Sequence, residues 1–362
     1  MEREREIREK REKAHEELLK KSQTNDLEQA LLRKKQQQDF QDLLQRLMAA
    51  QRPFLDAPNT NFKGEVATDN KHFNVAVGEM QGWRNSMEDN HFIKVDGLQQ
   101  EGKGPKKTEE GLFGVFDGHS GKQAADYCAA QMAPLCEKYY KPEGIQFEEV
   151  FLEMDRQLEK KVNDDSGCTS VVVHVTPKVV RCASVGDSRA VLCRRAAATA
   201  NSEEVFEVNG VSYEAVALSY DHKPEVPEEQ ARIEAIGGHV QANRVNGQLA
   251  MSRALGDFTY KQNKDKKVEE QLVIPNPTVI EAPRAPEDVF VVLACDGIFD
   301  VLTNKELCMF IMQQKEVEKV GSNKEICEKT CRHCLAPADG PGGQCTRAEG
   351  TDNMTIMIVD LL

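Results

Sequence analysis

The chain has 362 residues, with Lys+Arg 47 against Asp+Glu 60 and a formal net charge of −13. This length suffices for one large domain or two medium ones. Acidity of this size excludes a general nucleic-acid binder, which needs a net basic face. With no run of 18 apolar residues, no membrane-spanning helix is expected. The N-terminus MEREREIREK also lacks the apolar stretch of a secretory signal. The expected setting is cytoplasmic, with the nucleus as a second location.

The charge is unevenly spread. Residues 1–52 carry 13 Lys+Arg and 11 Asp+Glu, which leaves 34 against 49 for residues 53–362, a net of −15. The first 50 residues contain neither Gly nor Pro, and acids precede bases by four at Glu9–Lys13 and Glu16–Lys20. These features predict a charged helical arm over 1–65. Leu27, Leu31, Phe40, Leu43, Leu44 and Leu47 offer an apolar stripe, but the polar run 34–38 breaks it short of a coiled coil. The arm is expected to be solvated or docked on a partner.

From Val66 the texture changes to short β-branched runs at 73–77, 112–117, 169–175, 179–185, 190–193, 289–295 and 354–362, which read as strands. Helices are predicted over 121–140, 147–162, 227–236 and 303–314, the last opened by a Thr303–Glu306 capping box. Thr176–Pro177–Lys178 between two runs predicts a hairpin, hence antiparallel pairing and an α+β class. Segments 98–110, 196–214 and 336–350 read as loops or insertions. Eleven cysteines lie between Cys128 and Cys345, several in apolar runs, and read as plain thiols of a reducing compartment. Cys327, Cys331, Cys334 and Cys345, with His333, fall short of a clean zinc spacing.

The informative feature is where the aspartates fall. Asp117, Asp187, Asp296 and Asp352 each stand at the rim of an apolar strand. One such residue is a turn former. Four gathered at one end would repel and resist ionising unless a cation sat between them. Gly118 and Gly297 follow two of them and are read as room for an ion and its waters. Hard oxygen ligands of this kind select Mg²⁺ or Mn²⁺ over zinc. GWRNSMEDN (82–90) adds Arg84, Glu88 and Asp89, and a guanidinium suits bidentate phosphate binding. His119, in DGHSG (117–121), has the pKa of a proton donor to a leaving group. A Walker loop, a GxSxG elbow and a Cys in a phosphate-cradling loop are all absent. The inventory points to metal-assisted hydrolysis of a phosphate ester.

The blocks GWRNSMEDNHF, GVFDGHSGKQAA, SGCTSVVV, ASVGDSRAVL, YDHKPEVPEEQARIEAIGGHV, RVNGQLAMSRALGD, LACDGIFDVL and TDNMTIMIV run colinearly from Asn74 to Asp360. They resemble the metal-dependent serine/threonine protein phosphatases of type 2C. The resemblance implies a four-layer α-β-β-α sandwich, two antiparallel sheets flanked by helices, over residues 66–362. It implies a flap near 221–257, whereas the insertion 196–214 and the arm have no counterpart. It further implies two Mn²⁺ or Mg²⁺ ions per subunit, with Asp117 bridging them. The Gly118 carbonyl and Glu88 would serve one ion, Asp296 and Asp352 the other, and Asp187 a weaker third site. Asp89 would hold water, Arg84 would bind phosphate and His119 would act as general acid. Phosphoserine and phosphothreonine in protein substrates would then be hydrolysed by water activated between the ions, in a protein expected to be monomeric. Cys168 and Cys295 depart from the family pattern and are expected not to touch the ligands. The competing readings are a binding scaffold with a dead site, an interaction protein centred on the arm, and a small-molecule phosphohydrolase; no ligand, Arg or His is missing to favour the first.

Overall fold

Strands buried on both faces read as unbroken apolar runs, and the runs of this chain do so for that reason. The computed structural model describes residues 54–67, 71–98, 109–197, 202–340, 343, 345 and 349–362, and Phe54–Leu362 form one unit. Residues 1–53 of the arm expected over 1–65 lie outside the described residues. Twelve longer strands occur: β1 (Phe54–Ala67), β2 (Phe73–Arg84), β3 (Asn90–Lys94), β4 (Gly111–Phe116), β5 (Ser170–Val175), β6 (Val179–Val185), β7 (Arg189–Arg195), β8 (Val205–Val208), β9 (Val211–Ala217), β10 (Thr278–Pro283), β11 (Asp288–Ala294) and β12 (Met354–Leu361). They form a seven-stranded sheet, β1-β2-β12-β11-β7-β9-β8, and a five-stranded sheet, β10-β6-β5-β4-β3. Every pairing in both is antiparallel. Among the described residues five longer helices accompany them, α1 (Gln123–Lys138), α2 (Phe147–Lys161), α3 (Pro227–Ala235), α4 (Asn304–Glu316) and α5 (Asn323–Cys334), with a four-residue helical turn at Asp296–Phe299.

The period of two along each strand sorts side chains into separate cores. On β12, Met354, Ile356 and Ile358 join Phe290 and Val292 of β11 against Leu307 and Ile311 of α4 and Ile326 of α5. The alternate residues Met357 and Val359, with Val291 and Leu293, face the other sheet and meet Phe113, Val115, Val171 and Val173. Across the five-stranded sheet, Leu112, Phe116, Val172 and Ala183 pack under α1 and α2 through Met132, Phe151 and Met154. Three cores between four layers make the expected α-β-β-α sandwich.

Two expectations along the chain are corrected. Residues 54–65, assigned to the helical arm, belong to β1, which pairs with β2 through Val66↔Ala76 and Phe62↔Met80. An edge strand buries only scattered side chains, so no apolar run marks it. Segment 196–214, read as a loop, contains β8 and the start of β9, and Phe206, Val208 and Tyr213 enter the core beneath α4. Its signal was the Asn209–Gly210 pair, with φ of 52 and 77, the chemistry of a two-residue hairpin turn. Helix α5 had not been predicted. Ser322 opens it by accepting from the Glu325 N–H at 3.2 Å, and Cys327, Cys331 and Cys334 lie in the core beneath it. These thiols act there as small hydrophobes.

Candidate metal centre

Antiparallel register brings the marked aspartates together. Strand β2 ends at Arg84 beside the start of β12, because Met80 pairs with Met354. Strand β11 ends there too, through Ala294↔Ile356, so Asp296 and Asp352 meet. In the other sheet β4 and β6 both end beside the start of β5, through Val115↔Val171 and Val185↔Ser170, which delivers Asp117 and Asp187. Ligand atoms of Asp89, Asp117 and Cys295 lie within 4.8 Å of one another. One end of the sandwich therefore collects carboxylates from both sheets.

Their electrostatics are those of an uncompensated cluster. Burial pushes the Asp117 carboxyl well above the ordinary range, and Asp296, Asp89, Asp352 and Asp187 push it further. Asp296 is raised likewise by burial, then by Asp187, Asp352 and Asp300, against the opposing pull of Lys223. Burial carries Asp89 up to about 7, despite hydrogen bonds from Thr355 and Cys295; the Thr355 hydroxyl donates to its Oδ2 at 2.7 Å. The Oδ1 atoms of Asp187 and Asp296 are buried with no hydrogen-bond partner among the described residues. Bare buried oxygens among mutually repelling carboxylates fit a hard divalent cation, which would supply both the missing partner and the missing charge.

The remaining residues are held around this cluster. Trp83 is buried and donates its indole N–H to the Ala336 carbonyl at 2.9 Å, which anchors the end of β2. The Arg84 side chain beyond it is 45% exposed, and Nη2 donates to Asp352 Oδ2. Glu88 accepts from Ser86 Oγ at 2.6 Å and from the Gly121 N–H at 3.0 Å, while its own N–H donates to Asn353 Oδ1 at 2.9 Å. Asp187 lies against Lys223, whose Nζ donates to its Oδ2. His119 Nε2 contacts Asp257 Oδ1 at 2.9 Å and Oδ2 at 2.8 Å. Burial drives the His119 imidazole down, but Asp257, with Asp187 and Glu88, outweighs it and leaves the ring above the ordinary histidine value.

Two features of the neighbourhood go beyond the sequence reading. A Cβ at Gly118 would come within 2.3 Å of the Glu88 carbonyl oxygen, and one at Gly297 within 2.0 Å of that of Asn353. The place a side chain would take at those glycines is filled by the protein's own backbone. The two unusual cysteines, expected not to touch the ligands, border them. Cys295 stands with Asp89 and Asp117, and Cys168 pairs with Gly118 across a short two-residue ladder.

Sequence reasoning missed Asp257, Lys223, Asn353 and Asp300. Asp257 has φ 54, a left-handed conformation that Asp tolerates better than most residues, and it is 3% exposed. Its place after the apolar Leu255–Gly256 pair repeats the strand-end pattern of the other aspartates, the one signal that could have found it.

A family model described as protein phosphatase 2C matches residues 73–340. A probable protein phosphatase 2C of Caenorhabditis elegans is 38% identical over 309 residues, which cover 83% of this chain and 78% of that protein. Protein phosphatase 1B of Rattus norvegicus is 36% identical over 328 residues, covering 84% of this chain and 74% of the relative. Among solved structures, a phosphatase from a pathogenic strain of Toxoplasma gondii superposes with a TM-score of 0.64 at 22% identity, over 83% of this chain and 96% of that one. That likeness bears on the fold, while the sequence matches reach further: the chain belongs to the protein phosphatase 2C family and is a metal-dependent protein phosphatase.

Proposed function

We propose that the enzyme hydrolyses phosphoserine and phosphothreonine in proteins with two divalent ions, Mn²⁺ or Mg²⁺. Glu88, Asp117, the Gly118 carbonyl, Asp296 and Asp352 would hold them. The observation that carries this is the carboxylate cluster at one end of the sandwich, in which Asp117 and Asp296 are pushed toward the protonated form. When bound, such ions neutralise phosphoryl oxygens and make water acidic enough to serve as the nucleophile near neutral pH.

The chain's own groups do the rest. Asp89, buried between Thr355 and Cys295, is placed to accept a hydrogen bond from water and so orient it. Arg84 presents a planar fork to two phosphoryl oxygens, a match that a lysine point charge lacks. Its anchor on Asp352 and the buried Trp83 beside it limit where that fork can go. His119 gives a proton to the departing seryl or threonyl oxygen. Asp257 fixes the ring and favours its cationic form, so that the proton is available when the bond breaks. Asp187, with Asp296, offers a weaker third cation place.

Phosphopeptide hydrolysis in Mn²⁺ or Mg²⁺, after chelation, and after readdition tests the proposal. Turnover is expected to vanish with chelator and return with either ion. Full turnover after exhaustive chelation overturns it.

A further inference from the structure

The segment 221–257 delivers a lysine into the carboxylate cluster. Asp187 is 2% exposed. One of its oxygens accepts from Lys223 Nζ, and the other is buried without a hydrogen-bond partner among the described residues. Half of this carboxylate is thus neutralised from within the chain and half is bare. The ammonium is bonded to one oxygen only, and a divalent ion, with twice the charge, would attract this carboxylate more strongly.

The backbone around Lys223 is fastened on both sides. Asp221 takes a bidentate pair of bonds from Arg189, both 2.7 Å. The His222 N–H donates to the Gly186 carbonyl at 2.9 Å, and the Ser252 N–H to the His222 carbonyl at 2.9 Å. The Val226 N–H donates to the Lys223 carbonyl at 3.1 Å, one residue before α3 begins. An ammonium on a four-carbon stem is a compact and mobile charge, held at Asp187 by a fixed root.

We propose that Lys223 is a built-in counter-cation that occupies, on Asp187, the place a third divalent ion would take, so that this ion binds only as Lys223 lets go. The inference rests on the metal-ion reading above. It makes the weakness of that third place a property of a residue in segment 221–257 and not of its ligands. A merely structural ion pair would alter stability and leave ion affinity untouched.

The test is calorimetric titration of the full-length, metal-free protein with Mn²⁺, comparing wild type with Lys223→Met and Lys223→Arg. The weak step is expected to tighten by about tenfold or more in Lys223→Met, where the competing charge is gone. It should stay weak in Lys223→Arg, and the tighter steps should be unchanged in both. An equally weak step in Lys223→Met overturns the proposal. Absence of every Mn²⁺ step in the wild type overturns instead the metal-ion reading beneath it.

Discussion

Glu229 in α3 and Asp117 at the end of β4 are acids withdrawn from water, the first buried and the second half-buried, and they meet opposite fates. Glu229 is 3% exposed. It accepts from Arg253 Nε at 2.9 Å, Ser252 Oγ at 2.6 Å and Arg232 Nη1 at 2.5 Å. Burial pushes its carboxyl up, and Arg253, Arg232 and Ser252 together pull it down to about 2. Asp117 meets burial with four further aspartates and is driven the other way. Burial alone therefore does not tell a structural acid from a functional one. The sign of its neighbours does, and an acid cluster left uncompensated by the fold is a site built to receive charge from outside.

That contrast can be broken most sharply at Asp117. Asp117→Asn should reduce Mn²⁺-dependent phosphopeptide turnover to background. It should also raise the thermal midpoint of the metal-free protein, because one repelling carboxylate is gone. A lowered midpoint in chelator would show that Asp117 is structural after all. His119→Gln should slow phosphoserine-peptide turnover by about 10²–10⁴-fold. The loss should be far smaller on p-nitrophenyl phosphate, whose leaving group needs no proton; equal losses on both would remove the general-acid role. Glu229→Gln strands two arginines beside a neutral amide and should cost about 3–5 kcal/mol in denaturant unfolding. Mn²⁺ affinity should hold, and its loss would mean that the two regions are not separate.

The smallest effects are in pH, with opposite signs. Glu229 moves from 4.5 to about 2 on folding. Its contribution to stability is complete above 4.5 and is lost as pH falls through 2. Asp89 moves from 3.8 to about 7. The unfolded chain then releases its proton first, and the metal-free protein loses stability as pH rises from 3.8 to 7. Thermal melts in chelator should show the falling limb near neutrality, and saturating Mn²⁺ should flatten it. A metal-free protein that gains stability across that interval would contradict the charge assignment.

Much of the centre was legible in the sequence because its signals are local. An Asp closing an apolar run, as at Asp117, Asp296 and Asp187, is visible within eight residues, and so is the capping box of Thr303 and Glu306. Strands β1 and β8 escaped because edge strands carry no continuous apolar run. Asp257 escaped because its role arises from a contact with His119, 138 residues away. Cys295 was expected not to touch the ligands, and only the packing of its side chain beside Asp89 and Asp117 showed otherwise.

The amino-acid sequence by itself determined the strand periods, the helix caps, the antiparallel class and the presence of a carboxylate set with one guanidinium and one imidazole. All of these follow from spacing along the chain. The tertiary structure alone decided which charges are compensated: Asp257 on His119, Lys223 on Asp187, two arginines on Glu229, and no cation of the chain against Asp117 among the described residues. Compensation is a pairwise property of groups a few ångströms apart, and the chain brings those groups together from positions up to 138 residues distant.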